Sequence, residues 1–205
     1  MIDIRGYDER ARSEVLATVA ALETSDEPIP ESSYPALRDN ALREMVRQLL
    51  AEAGRCLLEL DNRRWSSGYQ DNIADDLSAK AIGQLAPTDR AVLALVLLHS
   101  VAIPRAAGRI TSPDWTVSEA IDRTVLHQCK AIANGQIDRS IRRLQARGIL
   151  RRGHGAEIRP GPQFQRLTEC RSRTLWEDLV LLCKPSGAQA AQIKRRRTRD
   201  KEQRQ

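Results

Sequence analysis

Between Asn134 and Arg159 the chain reads NGQIDRSIRRLQARGILRRGHGAEIR, and this stretch restricts the possible fold more than any other. Ile137, Ile141 and Leu144 recur at helical spacing, while Gln136, Arg139, Ser140, Arg143 and Arg147 fall together on the opposite side of the same helix. One side can be buried and the other is cationic. Asn134 is placed to cap the helix start, and Gly148 to supply the left-handed residue that ends it. Gly153-His154-Gly155 then separates two short extended runs, Ile149 to Arg152 and Ala156 to Arg159. The expectation is a helix followed by a basic β-hairpin.

That order, with the phrase SIRRLQARGILRR and the later RPGPQFQRLT, resembles the winged helix-turn-helix family. The resemblance covers residues 87–168 and is most specific over 134–168. It implies a mainly α fold: a winged helix-turn-helix core, a small β-hairpin wing and an N-terminal helical extension. By the same resemblance the recognition helix enters the major groove of double-stranded DNA. Gln136, Arg139, Ser140 and Arg143 would then meet bases or phosphates, and Arg147, Arg151, Arg152 and His154 would lie on phosphates. Winged-helix domains also serve as protein-docking modules. A second reading is therefore an accessory subunit of an ATPase, or of a chromosome-organising or defence-type complex.

Charge is distributed unevenly along the chain. Residues 1–103 carry 11 Lys/Arg and 17 Asp/Glu, whereas residues 104–205 carry 22 and 10. A basic half suits a polyanion, because each neutralised phosphate releases condensed counterions. The acidic half would be repelled by the same partner and is expected to face solvent or another protein. Residues 194–205 hold seven Lys/Arg and two acids, a run expected to be a disordered polycation. Lys194, Arg195, Arg196 and Arg197 are its candidate nucleic-acid contacts, and they motivate a third reading as a nuclease-associated or RNA-binding accessory. Aromatic residues are only 3% of the chain, too few for the stacking platforms on which single strands are bound.

Along the chain, Glu9 to Leu22 carries a stripe of Val15, Leu16, Val19 and Leu22, and Thr24 to Pro35 reads as an acidic, proline-rich linker. From Ala36 to Leu60 the apolar residues recur in steps of three and four, predicting one long helix. Its face is covered either by the protein's own neighbouring helices or by a partner or second copy. In the latter case Leu42, Val46, Leu49 and Leu60 are the contact residues. Asp61 to Tyr69 is expected as a loop and Asn72 to Leu85 as a helix. Thr88 caps an apolar helix, Ala91 to Ile103, that Pro104 stops. Thr116 to Glu119 has the spacing of a capping box ahead of a helix carrying Ile121, Val125, Cys129 and Ile132. A last helix, Arg173 to Cys183, is expected to pack beside the N-terminal ones. The segments so defined are 1–35, 36–86, 87–183 and 184–205.

No phosphate-binding glycine loop, HExxH or GxSxG pattern occurs, and His99, His127 and His154 fall in three different elements. The expectation is a protein that is not an enzyme, with no catalytic residues, no metal and no cofactor. Cys56, Cys129, Cys170 and Cys183 form no CxxC pair and read as reduced core residues. The opening MIDIRGYDERARSE has no apolar core of a secretory signal, and the apolar run to Ile103 is shorter than the ~20 residues of a bilayer span. A cytoplasmic location without membrane contact is expected.

Overall fold

A computed structural model of the chain describes residues 8–183 and 185–202, the side chain of Lys201 excepted. Residues 1–7 of the opening stretch read for a leader, and the last three of the basic tail, lie outside the described residues. The protein is mainly helical with small antiparallel sheets. It divides into two units, one drawn from the chain up to Gln84 together with Gly161–Thr168, the other from Leu85–Pro160 and from Glu169 onward. The first two expected segments thus close on one core, and residues 161–168 belong with them.

In the first unit, helix α1 (Glu9–Thr24) precedes a short strand β1 (Ile29–Pro30), a helical turn α2 (Pro35–Arg38) and helix α3 (Asn40–Glu52). The expected linker is therefore part of the fold: Ile29 is buried and pairs with Trp65. The long helix predicted over 36–60 is also not continuous. It is interrupted at Asp39, whose side chain caps α3 through the Ala41 and Leu42 N–H groups, and it ends at Gly54, which sits at φ +70°. Arg55–Leu60 then form strand β2, which turns through Asn62 and Arg63, both at positive φ, into β3 (Arg64–Tyr69). The two strands pair antiparallel from Arg55↔Tyr69 to Leu60↔Arg64, and β3 is the central strand of the order β1-β3-β2. Leu57 and Leu60 satisfy a helical period, but the left-handed glycine ends the helix before them.

This sheet explains the apolar stripe. Val46 is 0% exposed and lies in the core with Val15, Leu22, Leu37, Met45, Leu50 and Trp65, while Leu42 and Leu49 pack against that cluster. Leu60 is half-buried in a strand and shares no helix face with the other three. The buried part of the stripe is internal core. Residues 161–168 are fastened here by Arg166, which donates through Nη1 to the Ser67 carbonyl and through Nη2 to the Leu22 and Ser25 carbonyls at the end of α1. Gly68 permits the approach, since a Cβ there would stand 2.4 Å from the Arg166 carbonyl oxygen.

Helix α4 (Asp71–Ala79) is shorter than predicted, and a 3-10 helix at Pro162–Arg166 is a further helical element of the first unit. The second unit opens with α5 (Pro87–Leu97), capped by Ala86 rather than Thr88. Pro104 does not stop it. A π-helical turn over Leu98–Ala102 leads directly into α6 (Ile103–Ala106), with the Ile103 N–H bonded to the Leu98 carbonyl. The Ser100 carbonyl, deprived by Pro104 of its normal i+4 donor, accepts instead from the Glu119 N–H at 2.9 Å. The resulting helix of 20 residues is long and apolar enough to cross a membrane by length and composition, though Val92, Val96, Leu97 and Val101 are buried in this unit.

The predicted capping box at Thr116 is a turn organised by Asp114, which accepts from the Thr116 N–H and hydroxyl. The helix begins later and is only five residues long: α7 (Arg123–His127), capped by Asp122. Helix α8 (Asn134–Ala146) follows, then strands β4 (Leu150–Arg152) and β5 (Ile158–Pro160) in antiparallel register Arg151↔Arg159. Ile121, ahead of α7, makes a bridge to Ile158 and adds a third extended segment beside the hairpin. Helices α9 (Glu169–Cys183) and α10 (Ala188–Glu202) complete the unit, α9 packing on the π-helical turn. Cys170 and Cys183 are exposed, and all four cysteines are free thiols, Cys56 and Cys129 being half-buried.

Candidate nucleic-acid interface

Helix α8 is positioned by its apolar side. Ile137, Ile141 and Leu144 are each 0% exposed and join Val92, Val96, Leu126, Leu150 and Ile158 in one cluster. At about 3.6 residues per turn, the direction opposite these three is occupied by Arg139 and Arg142. Arg142 is not among the contacts predicted from sequence, although the spacing of the apolar residues is enough to find it. The start of the helix differs too. Ala133 occupies the cap position without a side-chain bond, and Asn134 is already helical. Gly148 does take the left-handed conformation, at φ +66°.

The predicted cationic residues separate into two groups. Gln136, Arg139, Arg147, Arg151, Arg152 and His154 are exposed. Among the described residues Arg139 and Arg142 bond only carbonyls of their own helix, at Gly135 (3.1 Å) and Asp138 (3.4 Å), and Arg151 donates to the Thr116 carbonyl at 3.3 Å. These bonds neutralise no charge. The one acid on α8, Asp138, is engaged by Arg123 at 3.5 Å and His127 at 3.2 Å.

Ser140 and Arg143 have a different role. Ser140 is fully buried, and its hydroxyl accepts from Arg143 Nη2. Arg143 grips Asp89 of α5 with two bonds, Nε to Oδ2 at 3.0 Å and Nη2 to Oδ1 at 2.5 Å. Asp89 is 2% exposed, so its charge would be costly without this partner. The Arg143 bonds hold its carboxyl below the ordinary value, with burial opposing and Ser140 assisting. Ser140 is therefore no base contact, and Arg143 fixes α8 to α5. Nothing in the sequence near Asp89 marks it as a buried partner, because the two residues are brought together only by helix packing.

Replacing Arg143 by alanine should lower the melting temperature of this unit by about 5–10 °C, because Asp89 would remain buried and unpaired. Arg139→Ala should shift it by no more than about 2 °C. The folded Asp89 pKa lies below its ordinary 3.8, so the stability from the pair is complete above that value and is lost as pH falls through the lowered one. Calorimetry should accordingly show the parent and Arg143→Ala differing most near neutral pH, where Asp89 must be ionised without a partner in the variant, and converging as pH falls below about 4.

The basic tail is not a free polycation over the described residues. It forms α10, in which Ile193 is buried and Lys194 donates to the Pro185 carbonyl at 2.8 Å. Arg196 and Arg197 both pair with Glu177, a buried acid of α9, and Arg197 also reaches Asp178 at 2.7 Å. A buried carboxylate on the facing helix turns these two arginines inward, which leaves Arg195 exposed between positions with structural partners.

Among the described residues no group of three His, Cys, Asp or Glu side chains could hold a metal ion. What the exposed face of α8 and the hairpin offers chemically is a set of guanidinium groups free to neutralise phosphates or to bond base edges bidentately. No protein-family model and no curated protein matches this chain, so its residues and geometry carry the reading of this face.

Proposed function

We propose that this protein binds double-stranded DNA in the manner of a winged helix-turn-helix domain, with α8 as the recognition helix and the β4–β5 hairpin as the wing. The observation that carries the reading is the exposed arginine face of α8, anchored from behind by three fully buried apolar residues and continued by Arg151 and Arg152 on the hairpin. The element order supports it: helix, extended segment at Ile121, short helix, α8, then a hairpin whose second strand pairs with Ile121. Arg139 and Arg142 are the groups for base edges or phosphates, with Gln136 at the first turn. Arg147, Arg151, Arg152 and His154 follow the backbone.

The test is a salt titration of full-length protein on a mixed-sequence duplex. Binding should weaken steeply with salt, and Arg151→Ala with Arg152→Ala should flatten the log–log slope by about 0.9 for each phosphate no longer neutralised. Affinity independent of salt, or a slope unchanged by the double substitution, would remove the wing from the interface. An RNA reading based on the tail is weaker, since Arg196 and Arg197 are already paired within the protein.

A further inference from the structure

The second unit contains a cavity of ≈ 960 Å³ walled by the helix that runs through Pro104, by α9 and by α10. Its size is at the upper end of the roughly 300–1,000 Å³ typical of small-molecule sites. Leu98, Ala102, Trp176 and Val180 form apolar walls, and Ile103 and Leu182, which are 44% and 62% exposed, stand at its edge. Among the described residues Arg105 is the one charged residue lining it, and no described aspartate or glutamate does so.

Arg105 is unusually placed for a cation. Its guanidinium lies over the Trp115 ring at 5.0 Å and over the Trp176 ring at 5.5 Å, while Nη2 donates to the Pro113 and Asp114 carbonyls. Its Nε is buried and has no hydrogen-bond partner among the described residues. Burial lowers its pKa from the ordinary arginine value, and Asp114 offsets part of that effect. A partly desolvated guanidinium lining an apolar cavity favours an anionic partner there, whose charge offsets its own.

We infer that this cavity is a binding site for an apolar monoanion, a small acid whose carboxylate meets Arg105 while its hydrocarbon or aromatic body lies between the π-helical turn, Trp176 and α10. Apolar walls alone would accept any greasy molecule. The guanidinium beneath two indoles selects the acid over its neutral counterpart, because the alcohol can accept a hydrogen bond but only the carboxylate also offsets the desolvated positive charge.

The probes are decanoate and decan-1-ol, titrated below micelle formation into the full-length protein and followed by tryptophan fluorescence and calorimetry. Decanoate should saturate one site and bind at least tenfold more tightly than the alcohol. Arg105→Gln should weaken decanoate at least tenfold with little change for decanol, which removes the preference and keeps the apolar site. Arg105 also secures the Pro113–Asp114 carbonyls, so a second arm that leaves it in place is needed. Ala106→Trp, at an exposed position on the cavity wall, supplies that arm and should abolish binding of both probes. Equal affinity for acid and alcohol, or decanoate binding that survives Ala106→Trp, would overturn the site. So would a concentration-dependent dimer that decanoate dissociates, since the groove would then be occupied by a second copy.

Discussion

Ile141→Asp should abolish the cooperative unfolding transition of the second unit, the largest effect expected of any single substitution in α8. The side chain it replaces is 0% exposed, and its neighbours are Val92, Val96, Leu126 and Leu150. An unpaired carboxylate at that position has no donor to satisfy it, and the cost of burying it exceeds what a domain of this size can spare. Near-ultraviolet circular dichroism from Trp115, which is buried in the same unit, should disappear together with the transition. Arg142→Asp introduces the same carboxylate on the opposite side of the same helix, and its stability should stay within about 0.5 kcal/mol of the parent. If both variants melted like the parent, the orientation of α8 described above would be wrong.

The second large effect is on binding. Arg139→Ala with Arg142→Ala should reduce duplex affinity roughly 30-fold or more, since each guanidinium contributes about 1–3 kcal/mol at a base or phosphate. Among the described residues both side chains bond only carbonyls one turn back in their own helix, so the circular dichroism spectrum and melting temperature should be those of the parent. Arg143 is deliberately left in place, because removing it would mix a folding defect into the measurement. Fluorescence anisotropy with a labelled duplex at fixed salt gives the affinity ratio directly. A ratio near one would exclude this face of α8 from the interface.

The amphipathic pattern of α8 is legible in the sequence because a helix that buries three aliphatic residues at i, i+4 and i+7 commits everything else on it to a direction. Gly148 is legible because a left-handed residue after a helix is glycine's particular use, and the hairpin because the Gly153-His154-Gly155 turn lies between two short extended runs. The arginine face differs from its expected position by a rotation. Grouping Gln136, Arg139, Ser140, Arg143 and Arg147 gives a self-consistent polar side, but the core extends to Ser140, and the solvent side therefore turns toward Arg142.

Elsewhere periodicity alone is insufficient. Leu57 and Leu60 fit a helical stripe as well as a strand, and the choice is made by Gly54 at positive φ and by pairing with Arg64–Tyr69, a segment that reads locally as a loop. Pro104 reads as a helix stop, yet a π-helical turn and the distant Glu119 N–H satisfy the backbone groups that proline disrupts. Arg143, Arg196 and Arg197 read as solvated cations until Asp89 and Glu177, distant in the chain, are found buried beside them. The sequence by itself determined which aliphatic residues of α8 must leave water, since that depends on local spacing. Only the tertiary structure decided which charges are free to meet a partner, because a guanidinium is released or consumed by carboxylates that packing brings to it.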